Sequence, residues 1–142
     1  MRDDLTQALY HDFPVLYKCM SWGFQNGDGW YEIIRRLSIS ISNIVASASL
    51  EPSEFTVSEV KEKFGLLRVY ISNTNNAIQD AIYQSVQESS RTCEKCGGPG
   101  VQSARGGWIR ASCEPCEAER LRIRQEQARR YDRRDSGTVE IE

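Results

Sequence analysis

From residue 30 to residue 48 the apolar positions are Trp30, Ile33, Ile34, Leu37, Ile41, Ile44, Val45 and Ala48. That spacing repeats with the period of a helix. A competing signal, SISIS at 38–42, alternates as a strand does. Only Ile39 falls outside the helical stripe, so the longer repeat decides for helix. The preceding stretch SWGFQNGDG, 21–29, is rich in glycine and polar turn formers and reads as a loop, with Asp28 placed to cap the helix. Upstream, residues 3–10 predict a short helix with Leu5, Ala8 and Leu9 on one side. It ends near Phe13-Pro14, because a residue before proline is pushed away from helical angles.

After Pro52 the period changes. In FTVSEVKEKFGLLRVYIS, 55–72, Val60, Glu62 and Phe64 alternate with Lys61 and Lys63. Beyond Gly65, Leu67, Val69 and Ile71 alternate with Arg68 and Tyr70. Two strands meeting near Gly65 make a hairpin, with Lys61, Lys63 and Arg68 on its solvent face and Glu62 and Phe64 on the other. A Glu62 buried there needs a partner such as Arg35 or Arg36. A hairpin alone is marginal and requires a helix against one face. Residues 75–88 supply it: Ile78, Ala81, Ile82, Ser85 and Val86 share a face, and Asn75 or Asn76 can cap the start.

Composition narrows the class. With 39% hydrophobic and 27% charged residues the chain can bury a core, which excludes a wholly disordered protein. No apolar run approaches the ~20 residues needed to cross a bilayer, and the N-terminus carries no secretory pattern. The formal charge of −2 argues against avid nonspecific nucleic-acid binding. The average hides a division, since residues 1–90 carry −4 and residues 91–142 carry +2, with ten arginines in the latter.

The second half also holds four of the five cysteines, in CEKCGGPGVQSARGGWIRASCEPC. Cys93-x2-Cys96 and Cys113-x2-Cys116 have the spacing of a zinc site. Two residues between cysteines let a tight turn bring both sulfurs to one ion, and two turns fill a tetrahedral shell with no open position. Gly97 suits such a knuckle because a side chain there crowds the bend. Two disulfides conflict with a reducing cytosol, and a redox pair leaves the other CxxC without a role. An iron–sulfur cluster is the remaining alternative. The reading is a structural Zn2+ held by Cys93, Cys96, Cys113 and Cys116. Four thiolates and the ion together carry about −2, so part of the arginine excess balances the metal.

Between the pairs, GGWIRAS at 106–112 predicts a strand opposite VQSA, and the second pair runs into a helix over 117–134. Knuckle, hairpin and then a helix bearing the last ligands is a treble-clef-like order, with a zinc ribbon as the near alternative. The helix contains Arg120, Arg122, Arg124, Arg129, Arg130, Arg133 and Arg134, with a thin apolar stripe of Ala118, Leu121, Ala128 and Tyr131. Glu126 can pair with Arg122 and Arg130, which describes a solvated helix. The same arginines, Arg120, Arg124 and Arg130 foremost, could instead face phosphates or a partner. Trp108 and Arg110 join Lys61, Lys63 and Arg68 as candidate contacts, although a hairpin tryptophan also covers zinc knuckles. The acidic tail, 135–142, is expected to fray. The only histidine, His11, lies far upstream, and no nucleophile–base pair is visible, so no enzyme is expected.

GDGWYEIIRRL, VKEKFGLLRVY and RTCEKCGGPG…GWIRASCEPC, in this order, resemble a group of small, mostly uncharacterised proteins of tailed bacteriophages and prophages. The resemblance runs from about residue 12 to residue 118. Where that group usually reads KEKFGGLRFY, this chain departs at Leu66 and Val69. Extra cysteines often stand near GDGW in the group, and Cys19 corresponds to them. A histidine sometimes replaces the fourth ligand, which implies a metal role for Cys116. The resemblance implies a viral or prophage origin and a zinc-binding C-terminal part, without an established activity.

Together these readings give an α+β protein: residues 1–90 form helices packed on a short antiparallel hairpin. Residues 91–142 form a four-cysteine zinc module with a long arginine-rich helix. The expected role is a noncatalytic accessory protein in the bacterial host cytosol. It binds a host or phage protein, in one version to counter an antiviral defence. The alternative is a nucleic-acid-binding zinc protein of phage transcription or replication.

Overall fold

Four helices and two small sheets make up the chain in a computed structural model that describes residues 1–137. The fold is mixed α+β. Positions 138–142 of the acidic tail lie outside the described residues. Helix α1 is Asp3–Asp12 and buries Leu9 completely. Strand β1, Phe24–Gln25, follows. A 3-10 turn over Asp28–Trp30 leads into α2, Tyr31–Ser47. Strands β2, Val57–Lys63, and β3, Leu66–Ile71, precede α3, Asn76–Ser89. Strands β4, Val101–Ser103, and β5, Arg110–Ser112, precede α4, Glu114–Asp135.

The helical stripe read in the sequence is the buried face of α2. Ile33, Ile34, Leu37, Ile41 and Val45 are each at most 4% exposed, whereas Ile39 is only half-buried. SISIS is therefore helical throughout. Asn75 caps α3, its Oδ1 accepting the Ile78 N–H at 2.9 Å. Asp28 does not cap α2. Its carboxylate accepts the Arg2 N–H at 2.7 Å, and α2 starts instead through the 3-10 turn, without a side-chain cap.

β2 pairs antiparallel with β3, placing Val60 opposite Val69 and Lys61 opposite Arg68. The sheet has a third strand that the loop-like sequence at 21–29 does not announce. β1 pairs parallel with β2, Phe24 opposite Val60, and its two residues are too few for any period to register. At the hairpin tip both Phe64 (φ 55°) and Gly65 (φ 75°) are left-handed, as a two-residue type I′ turn requires. This corrects the expected inward-facing Phe64. As a turn residue it leaves the strand alternation and is 60% exposed. Glu62 likewise needs neither Arg35 nor Arg36, because its Oε1 accepts the Gly65 N–H at 3.0 Å across the turn. Arg36 pairs with Glu88 instead.

α2 packs on α3, and α3 packs on β3. Ser89, fully buried on α3, accepts the Leu67 N–H at 3.0 Å and donates to the Val86 carbonyl at 2.6 Å, so it ties helix to sheet while keeping its hydroxyl bonded. On the opposite flank, Tyr17 stacks edge-on against Phe24 at 5.0 Å, and its hydroxyl bonds the buried Ser38. Burial holds the Tyr17 phenol protonated well above its ordinary range, the Ser38 bond offsetting this only in part. The folded form thus retains a proton that the unfolded chain releases near pH 10. Stability is expected to be unaffected below that pH and to fall as pH rises above it. Tyr17→Phe should flatten this alkaline limb in urea melts at pH 9 to 11, and an unchanged limb would assign it to another group.

Candidate metal centre

The first cysteine pair sits in a backbone turn that the local sequence dictates. Gly97 N–H donates to the Cys93 carbonyl at 2.9 Å, and Cys93 N–H donates to the Gly98 carbonyl at 2.8 Å. Gly97 has φ 80°, where a side chain is strained, so the glycine after Cys96 is a conformational requirement. The turn aims the Gly98 N–H at the Cys96 sulfur, 3.4 Å away. The chain then reverses through β4 and β5, where Val101 lies opposite Ser112. That hairpin, anticipated as VQSA against GGWIRAS, delivers Cys113 to the N-cap of α4 and Cys116 to its first turn. Partial positive charge at a helix N-terminus favours thiolate there.

The four sulfurs converge, all lying within 4.8 Å of one another, with Cys96 and Cys113 at 3.7 Å. They form a group that could hold a metal ion. Cys93 is buried, Cys113 and Cys116 are half-buried, and Cys96 is exposed. Cys19 is exposed and stands outside the group.

The electrostatics of the cluster suit a cation. Burial raises the Cys93 thiol, but backbone N–H groups of Cys96, Cys113 and Lys95 outweigh it and bring the group down to about 6. At Cys96 the Gly98 N–H works the same way, yet the sulfurs of Cys93 and Cys113 and burial leave that thiol raised. Cys116 is pushed up to about 12, first by its bond with Cys113, then by burial and the other two sulfurs. One site accommodates one thiolate easily and resists more. A divalent ion bound there would remove that resistance, because it would be the largest charge in the site.

The cluster is built into the body of the protein. Glu94 accepts the Gly27 N–H at 2.9 Å through Oε1, and the Glu94 carbonyl accepts the Gly29 N–H at 2.7 Å. Trp30, fully buried, donates from Nε1 to the Thr92 carbonyl at 3.0 Å. On the other side Ala111, 2% exposed, joins the hydrophobic core, and Gln102 donates to the Phe64 carbonyl at 3.1 Å. Contacts thus cross the line between residues 1–90 and 91–142 in both directions. The signal in the sequence was the GDGW loop itself, two glycines before a tryptophan, but nothing in it names the knuckle as the partner.

The remaining candidate residues separate into several groups. Lys61 is engaged, 2.9 Å from Glu59 and over the Tyr70 ring at 5.5 Å. Lys63 and Arg68 are exposed on the same hairpin. Trp108 is 62% exposed with the Arg110 guanidinium 6.0 Å from its ring centre. Arg120 is committed to Glu117 at 2.6 Å, and Glu117 is only 5% exposed. The bond to Arg120, against burial, holds the Glu117 carboxyl below its usual range. This pair went unread in the sequence, although a carboxylate directly after Cys116 with arginine three residues on is its signature. Arg130 pairs with Glu126 at 2.9 Å on the exposed part of α4, where Arg124 also lies. His11 is exposed at the end of α1, its Nδ1 3.1 Å from Asp12 Oδ1.

No helix is long and apolar enough to cross a membrane among the described residues. No protein-family model matches the chain, and neither a curated protein nor a solved structure matches it.

Proposed function

We propose that the chain is a noncatalytic accessory protein, built around a structural zinc ion, that binds a host or viral protein. The resemblance of GDGW, KEKFG and the cysteine pattern supports a phage or prophage origin, and a part in countering an antiviral defence fits that origin. Zinc is the ion the donor set favours. Four cysteine sulfurs are soft ligands, and the 3.7 Å between Cys96 and Cys113 fits the edge, about 3.8 Å, of a tetrahedron with ~2.3 Å zinc–thiolate arms. Four thiolates close the coordination shell, so no position is left for an activated water. A treble-clef-like arrangement accounts for the order knuckle, hairpin, helix.

The observation that carries the binding role is α4. Every residue from 122 to 135 is exposed, so this half of the helix projects from the metal-organised base. Tyr131 is 71% and Ile123 39% exposed along it. A free helix of that length is marginal in water, and a partner laid against it would supply the missing packing. Affinity capture from host lysate with wild type and Tyr131→Asp tests this. A partner retained by wild type, identified by mass spectrometry and lost from the variant, is expected. An identical set of captured proteins would overturn the reading.

A second reading has one specific observation behind it. The exposed stretch of α4 carries six arginines against three carboxylates. That excess suits phosphates as well as an acidic protein. Neutralising Arg124 and Arg130 should then weaken DNA or RNA binding and lower the salt slope by about 0.9 for each phosphate no longer neutralised. Arg120, locked to Glu117, is a poor choice for this test because its removal strands a buried carboxylate.

A further inference from the structure

A cavity of about 500 Å³ opens beside the cysteine cluster, where the GDGW loop, the knuckle, β5 and the first turns of α4 meet. Gly27, Glu94, Lys95, Arg110, Ser112 and Arg120 are among its lining residues. The volume lies within the ~300–1,000 Å³ usual for small-molecule sites. Its charged groups differ in how far they are engaged. Arg120 is held by Glu117, and Oε1 of Glu94 is held by the Gly27 N–H. Arg110 is different: its Nε is buried with no hydrogen-bond partner, and although its charge acts on the carboxyls of Glu94 and Glu117, it forms no ion pair among the described residues. Lys95, exposed at the rim, also has no ion-pair partner among them.

We propose that this cavity binds the phosphate of a nucleotide unit through Arg110 and Lys95, and that the base reaches out of the cavity to the exposed Trp108 indole beside Arg110. A guanidinium fork with no carboxylate bonded to it matches two phosphate oxygens, and an ammonium adds a point charge beside it. Trp108 has its ring centre 6.0 Å from the same guanidinium and is 62% exposed, so it offers an aromatic face on which a base of any identity can stack. The second oxygen of Glu94 remains to accept from a sugar hydroxyl. The unit is either a free nucleotide or part of a single strand, since both present the same phosphate and ring. Ile123, at the start of the exposed half of α4, borders the cavity, and the proposal does not depend on what binds farther along that helix.

Titration calorimetry of the metal-loaded protein with adenosine 5′-monophosphate, with an eight-residue single-stranded oligonucleotide and with inorganic phosphate tests the proposal. Binding of either nucleotide probe is expected, with phosphate alone at least tenfold weaker because it lacks the ring. Arg110→Gln should weaken it tenfold or more, Trp108→Ala by roughly tenfold, and Lys95→Gln by a few-fold. Tighter binding of the oligonucleotide assigns the site to a strand, and equal or tighter binding of the monophosphate assigns it to a free nucleotide. Metal content and melting temperature of each variant separate impaired binding from impaired folding. Should Arg110→Gln unfold, Trp108→Ala at the surface carries the test. Absence of heat with both nucleotide probes, or wild-type affinity in the folded variants, would overturn the proposal.

Discussion

With the proposed zinc bound at the four sulfurs, stripping it with a chelator is expected to unfold the region 91–116 and to loosen residues 27–30 and α2 with it. The four sulfurs lie within 4.8 Å of each other, and without a cation their thiolates repel or take up protons. Apparent binding energies of structural zinc are on the order of 10–16 kcal/mol, against about 5–15 kcal/mol for the whole stability of a domain. The knuckle is also a wall of the core, because Cys93 is fully buried and Ala111 is 2% exposed. Trp30 bonds the Thr92 carbonyl, so its fluorescence reports on this joint. On chelation the tryptophan emission should shift to longer wavelength together with the loss of helical circular dichroism. Cys96→Ser and Cys113→Ser should reproduce the effect and fail to retain one zinc per chain on elemental analysis. Full metal content in either variant would contradict the ligand assignment. An unchanged Trp30 environment after complete chelation would show that residues 1–90 stand independently of the cluster.

Gly29→Ala should be nearly as damaging, although residue 29 is neither a ligand nor in the core cluster. A β-carbon there would lie 2.1 Å from the Cys93 carbonyl oxygen and 2.5 Å from the Gly97 nitrogen. Both are backbone atoms of the knuckle, so no side-chain rotation relieves the overlap. Either the loop lifts away, breaking the Gly29 N–H bond to the Glu94 carbonyl, or the knuckle shifts and spoils the sulfur geometry. The expected cost is about 3 kcal/mol or more, the upper end for overpacking. Urea denaturation measures it, and weaker metal retention in a chelator competition should accompany it. Gly107→Ala is the matched control: its φ of 81° strains a side chain, but nothing lies within 4 Å of the added atom. A Gly29→Ala protein no less stable than that control would refute the close docking of loop on knuckle.

Much of the local structure was legible because it rests on short-range physics. The α2 stripe, the Asn75 cap, the hairpin near Gly65 and the sequence of knuckle, β4–β5 and α4 all follow from residues close to one another in the chain. The cysteine group was the plainest case, since two-residue spacing and a following glycine express the turn directly. Phe64 was misplaced for a related reason. Alternation continues on paper through a turn, whereas the backbone at Phe64 and Gly65 leaves the strand and carries the ring outward.

What the sequence by itself determined are the helices, the buried faces of α2 and α3, the β2–β3 hairpin and the identity of the four sulfurs. Only the tertiary structure decided that Phe24 and Gln25 form a parallel edge strand, that Gly29 lies against Cys93, and that Arg110 is left with an unpartnered Nε beside a cavity. The physical reason is separation along the chain. A period, a cap or a CxxC turn is enforced by neighbours, whereas these contacts join residues dozens of positions apart, and their partners are chosen by how the packed elements happen to fit.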